Sequence, residues 1–287
     1  MLEAVAICLY TGHFATHFPV SFKMSNSPRR LVIKFGSGIL TCPGSAALDE
    51  GQFANLCQAI AILRQQGHEV IVVSSGAVAA GLQPLGFSKR PESTAVLQAC
   101  AAVGQCRLMN KYATLLGACG LHVGQLLVTH QDFEDPVRRG NFRNALISLL
   151  ERGNVIPVIN ENDSVATEEL RFGDNDALSA RLAGIVDADL LILFTSVDGL
   201  MAPGENEQIV PFVQDVREVL AFARDEKGEF SVGGMASKLR AVERAVAAGV
   251  ETVIANGRRP QQIPDLVAGR GIGTRFAPCA MGPLAVV

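Results

Sequence analysis

The chain has 287 residues, 48% hydrophobic and 18% charged, with a net charge of −3. That composition excludes a disordered or fibrous chain, and the mild acidity leaves no electrostatic footprint for nucleic acid. No apolar run reaches the ~18 residues of a membrane-crossing helix, so no membrane is expected as a partner either. Seven cysteines are scattered, odd in number and never spaced C-x-x-C. They argue against a zinc site or disulfide framework and for a reducing, cytoplasmic setting.

Residues 1–28 fit the rest poorly. Residues 4–10 are apolar, but Glu3 precedes them and no Lys or Arg comes before Lys23. This matches neither a secretory signal nor an arginine-rich presequence. An N-terminal extension of little fixed structure is expected there, with Met24 as an alternative start and residues 29–287 as the folded domain. From Leu31 onward, short aliphatic runs alternate with helix-length segments. Strands are expected at 31–35, 70–74, 123–129, 155–159, 190–195 and 252–255. Most are apolar on both faces, as parallel strands covered by helices on both sides should be. After the first strand, Asp49 can cap a helix, Phe53, Leu56, Ile60 and Leu63 form its buried stripe, and Gly67 can end it. Further helices are expected at 95–116, 141–152, 177–183, 216–223 and 236–248, with surface loops at 202–208 and 225–234. The rhythm predicts an α/β fold, a three-layer αβα sandwich around a mainly parallel sheet.

In such sheets, ligands gather at the carboxyl ends of the strands, and the unusual residues fall there. The first strand ends in Lys34-Phe35-Gly36-Ser37-Gly38, two glycines that let a phosphate approach and a lysine that adds charge. A glycine turn with a solvated lysine reads the same. The P-loop pattern G-x-x-x-x-G-K-[ST] is absent. A dinucleotide fingerprint fails because Thr41 stands in place of its third glycine and the second strand ends in Ser74-Ser75 rather than an acid. The small residues from Ser75 to Gly81 suit either close helix packing or carboxylate binding at a helix start.

Asn160-Glu161-Asn162-Asp163 and Gly173-Asp174-Asn175-Asp176 are dense polar clusters beside apolar elements. Turn chemistry explains part of this, and paired acids also suit glycosidases or metals. Lysines at strand and helix ends favour phosphoryl transfer. The last cluster, Gly233-Gly234-Met235-Ala236-Ser237-Lys238, opens a helix. A cation beside a helix N-terminus is unfavourable unless an anion is also present, which points to bound phosphate.

In this order, the five motifs resemble those of the glutamate 5-kinase family of the amino-acid kinase superfamily, from about Arg30 to Phe276. The resemblance implies transfer of the γ-phosphoryl group of ATP to the side-chain carboxylate of L-glutamate, the first step of proline biosynthesis. A related kinase acting on another small acid is the alternative. It also implies Lys34 and Lys238 flanking the phosphoryl group as catalytic residues, with Asp176 orienting both. Ser75, Asp163 and Asn175 would hold glutamate. Lys34, Gly36, Thr195, Ser196, Gly233, Gly234, Met235, Ala236, Ser237 and Lys238 would line the ATP site. Mg²⁺ would be held mainly by the phosphates, with no protein metal site. Proline as a feedback inhibitor and a homo-oligomer are further implications. The family often has Thr-Asp where this chain has Thr195-Ser196, and many members carry a C-terminal PUA domain, whereas this sequence stops at Val287 and is expected to lack one.

Overall fold

The structure is a computed structural model that describes residues 27–45, 47–165, 175–203, 208–222 and 234–279. The expected N-terminal extension up to residue 26 lies outside these residues. So do Gly173, Asp174 and Gly233, and most of the loops expected at 202–208 and 225–234.

In chain order the described elements begin with β1 (Arg30–Phe35), α1 (Ser37–Leu40), α2 (Glu50–Gln65), β2 (Glu69–Val73), α3 (Ala77–Leu82) and α4 (Thr94–Gly117). Next come β3 (His122–Val128), α5 (His130–Glu134), α6 (Pro136–Glu151), β4 (Val155–Glu161), α7 (Asn175–Ile185) and β5 (Leu190–Thr195). The last are β6 (Phe212–Val213), a 3-10 helix at Val216–Phe222, α8 (Met235–Ala247), β7 (Glu251–Asn256), α9 (Ile263–Val267) and β8 (Gly273–Phe276).

Helix α2 follows its sequence signals. Asp49 accepts from the Gln52 N–H at 3.0 Å, and Gly67 takes the left-handed conformation (φ 87°) that a helix stop requires. Phe53, Leu56, Ile60 and Leu63 are fully buried. Helix α6 starts earlier than the stripe suggested, because Asp135 caps the N–H groups of Val137 and Arg138 and Pro136 takes the first turn. The segment near 216–223 is 3-10 rather than α-helical.

The strands form one sheet in the order β3-β4-β2-β1-β5-β7-β8-β6. Every pairing is parallel except β7 with β8. Strands β6 and β8 were not anticipated. One has two residues, and the other, Gly-Thr-Arg-Phe, has no apolar run to announce it. Pairing with β7 holds β8 in place, and Thr274 Oγ1 accepts from the Leu200 N–H at 2.8 Å.

Two apolar layers enclose the sheet. Leu31, Ile33 and Phe35 pack with α2, α4 and α9; Val32, Ile71 and Leu191 pack with α6, α7 and α8. Burying each such side chain contributes about 1.5–3 kcal/mol. Side chains alternate along a strand, so Lys34 shares the face of Val32 and is directed toward α7 and α8. β1 is central, with β2 on one side and β5 on the other, and the chain reverses its direction of travel across the sheet there.

Candidate active site

Three elements bring three charges together on that face. Lys34 of β1 meets Asp176 Oδ1 at 2.5 Å, and Lys238 of α8 meets Asp176 Oδ2 at 3.0 Å. All three are buried, with Asp176 only 1% exposed. Burial alone would push the Asp176 carboxyl's pKa up, but the two ammonium groups overcome it and hold the pKa well below the usual carboxylate range. Two ammonium groups and one carboxylate sum to a net charge of +1. Such a buried excess suits a polyanion.

The glycines beside this triad are not there for backbone strain. Gly36 has φ −73°, which any residue adopts. A Cβ built on it would stand 3.5 Å from Lys34 Nζ, in the space through which a phosphate would reach the ammonium group. Across the sheet, Phe35 pairs with Phe194 and their rings stack at 5.5 Å. This puts Gly36 alongside Thr195, with the exposed Ser196 next in the chain. At α8, Gly234 is the N-cap, and no side chain caps the helix. Met235, Ala236 and Ser237 form its first turn, and Ser237 Oγ donates to the Gly234 carbonyl at 2.9 Å. The charge conflict at this helix start is met in the structure by Asp176, one carboxylate serving two lysines.

Next to Asp176, Asn175 starts a network of amides. Its Nδ2 donates to the Ser74 carbonyl and to Ser75 Oγ, both at 2.8 Å, and to Asn160 Oδ1 at 3.1 Å. Asn160 Nδ2 in turn donates to Gln105 Oε1 on α4 at 2.8 Å. Beyond Gln105 opens a cleft of about 200 Å³, walled also by Ala77, Gln125, Asn162 and Asp163. Of the residues expected from sequence, Lys34, Asp176 and Lys238 are in mutual contact through Asp176, and Asn175 holds Ser75. Asp163 lies on the cleft wall. Gly36, Thr195, Ser196 and Gly234 to Ser237 frame the lysine side, while Gly233 falls outside the described residues. Sequence reasoning did not single out Gln105, and it treated Asn160 only as part of a polar cluster. The usable signal was position, since Gln105 follows Leu97, Ala101 and Gly104 on the stripe of α4 that continues to Leu108 and Tyr112, all of them buried.

Comparison with known proteins addresses the family. The profile of the amino acid kinase family matches residues 29–256. The chain is 43% identical to a glutamate 5-kinase from Photobacterium profundum over 266 residues, which is 91% of this chain and 70% of that one. It is 45% identical to a glutamate 5-kinase from Gloeobacter violaceus over 251 residues, 86% of this chain and 68% of the other. Among solved structures, a carbamate kinase from Giardia lamblia bound to AMP-PNP superposes with a TM-score of 0.59 at 19% identity, covering 88% of this chain and 99% of that one, a likeness of fold. From the family profile and these relatives, the chain belongs to the amino acid kinase family and, within it, to the glutamate 5-kinases.

Proposed function

We propose that the site transfers the γ-phosphoryl group of ATP to the side-chain carboxylate of L-glutamate, giving L-glutamyl 5-phosphate. The observation that carries this reading is the sharing of the single buried carboxylate of Asp176 by Lys34 and Lys238 at the carboxyl end of the sheet. In this reaction a glutamate carboxylate oxygen forms a bond to the γ-phosphorus while the bond from that phosphorus to the β-phosphate oxygen breaks. ADP leaves with the electron pair. The transition state needs alignment and positive charge more than covalent help. Lys34 and Lys238 supply the charge from two sides, and Asp176 fixes where both ammonium groups stand.

Ser75, Asn175 and Asp163 hold the amino acid on the cleft side. Gly36, Thr195, Ser196 and the segment Gly233 to Lys238 take the nucleotide, with the Ser196 hydroxyl standing where relatives often have a carboxylate. Among the described residues, no three His, Cys, Asp or Glu side chains converge to make a metal cage, and both Asp176 oxygens already meet lysines. Magnesium would be carried on the ATP phosphates, where it neutralises charge. The same reading places the enzyme in the cytoplasm as a homo-oligomer and proline in competition with glutamate for the cleft. Residues 29–287 act as its kinase unit. Among the described residues, no helix is long and apolar enough to cross a membrane.

The test is a panel of acids (glutamate, N-acetylglutamate, aspartate and carbamate) given with Mg-ATP, any acyl phosphate being trapped by hydroxylamine. Glutamyl hydroxamate is the expected product. Turnover of another acid with none of glutamate would overturn the reading.

A further inference from the structure

The orientations of the amides between the triad and the cleft are fixed by groups that cannot change roles. The backbone N–H of Glu161 can only donate, so the Asn160 atom it meets at 2.9 Å is Oδ1. Asn160 must then present Nδ2 to Gln105, which must answer with Oε1. Gln105 Nε2 is left with both hydrogens, buried and without a hydrogen-bond partner, on a residue that is 8% exposed and lines the cleft. From the other end, the Ser74 carbonyl can only accept, so Asn175 presents Nδ2 to it and its Oδ1 is likewise buried and unpartnered. The network thus ends in a buried orphan donor on a residue that lines the cleft and a buried orphan acceptor on the neighbour of Asp176. A buried polar group without a partner is destabilising by ~1–3 kcal/mol, and a ligand bringing the missing atoms removes that cost.

We propose that Gln105 is a substrate-binding residue whose Nε2 donates to the α-carboxylate of the bound amino acid. The inference rests on the function proposed above. A primary amide nitrogen has two N–H donors and nothing to offer an ammonium group, so its natural partner is a carboxylate. The order of the network decides which one. Asp176 and the lysines stand at one end, followed by Asn175, Asn160 and finally Gln105. The carboxylate that takes the phosphoryl group belongs beside the lysines, which leaves the α-carboxylate for Gln105. Asp163, on the same cleft wall, is left for the ammonium group.

Two substitutions separate direct binding from simple bracing of Asn160. Gln105→Glu keeps an oxygen that can accept from Asn160 but has no N–H donor. Gln105→Met has a similar shape and neither function. If Gln105 binds substrate, both variants should raise the KM for glutamate about 10- to 100-fold, the loss of a hydrogen bond to a charged group. The KM for ATP should stay within about twofold, and the melting temperature of Gln105→Glu should stay close to that of the unaltered chain. A near-normal glutamate KM in Gln105→Glu with a raised one in Gln105→Met would show that Gln105 only braces Asn160, and would overturn the proposal. A defect in Gln105→Glu alone would reveal charge repulsion without a bond and overturn it equally, as would two unaffected variants. If the unaltered chain makes no glutamyl hydroxamate, it is the proposed function that fails.

Discussion

Asp176 holds one negative charge between two positive ones in a dry site, and removing it changes more than orientation. Asp176→Asn leaves two buried ammonium groups facing each other, which should lower stability by about 3–5 kcal/mol and turnover by at least about 10²-fold. Added Mg-ATP should raise the melting temperature of this variant more than that of the parent, because the phosphates supply the missing anion; an equal rise would count against phosphate binding here. The sign of the pH dependence follows from the depressed carboxyl. Its stabilising contribution is complete above the normal carboxylate range and is lost only as pH falls through its lower, folded value. Acid unfolding of the parent should therefore show a steep component well below pH 4 that Asp176→Asn lacks. On the cleft wall, Asp163→Asn should raise the KM for glutamate about 10- to 100-fold while leaving that for ATP nearly unchanged, since a charge-assisted contact with the ammonium group is weakened. A variant impaired mainly toward ATP would remove Asp163 from the acceptor side. These residues were legible in the sequence because polar clusters at the ends of apolar strands have few structural reasons to exist. Gln105 was not, because a single glutamine inside a helix looks like surface until its place on the buried stripe is counted.

At the level of elements, α3 and α4 meet backbone to backbone. A Cβ on Gly104 would overlap the Ala77 carbonyl oxygen, and one on Gly81 would overlap the Cys100 carbonyl oxygen. The atoms in the way are backbone, so Gly104→Ala must push α4 away from α3. The expected cost is about 1–3 kcal/mol. Because Ala77 and Gln105 both wall the cleft, the shift should also raise the KM for glutamate. Thermal unfolding and steady-state kinetics on one preparation check both, and an unaltered KM would separate this packing from the site. The central parallel strands β1, β2, β4 and β5 were legible because burial on both faces makes them mostly apolar. β6 and β8 escaped because a sheet edge can be built from short, partly polar segments that borrow their order from a neighbour, as β8 does from β7.

For the whole molecule, the arrangement of layers sorts the thiols. Cys57 and Cys100 are buried against the sheet, and burial pushes the Cys57 thiol's pKa up to about 12, with Cys119 adding to the effect. Cys106 and Cys279 are exposed. Maleimide at neutral pH should label Cys106 and Cys279 within minutes, while Cys57 and Cys100 should react only as the protein unfolds. Early labelling of Cys57, read by peptide mass, would mean that the layer of α2 and α4 opens in the native state. Glutamate should slow the labelling of Cys106, which lines the same cleft.

The place of β1 at the centre of the sheet has a consequence for inheritance. Among the described residues, every strand on its β2 side is encoded before residue 162, and every strand on its β5 side after residue 189. Helix α7, which carries Asn175 and Asp176, lies between the two stretches. A single genetic crossover in the turn around Asp187 would therefore exchange β5 to β8 together with α8 and leave β1 to β4 and the carboxylate of Asp176 in place. The seam such a recombinant must match includes β1 against β5, with the stacked rings of Phe35 and Phe194 at its end, the ion pairs of Asp176 with Lys238 and of Asp49 with Arg258, and the packing of α7 on α8. On the function proposed above, most of the nucleotide contacts would travel in such an exchange, while Lys34 and Gly36 would stay behind with the acceptor side, so a recombinant keeps its site only where these contacts across the seam are kept.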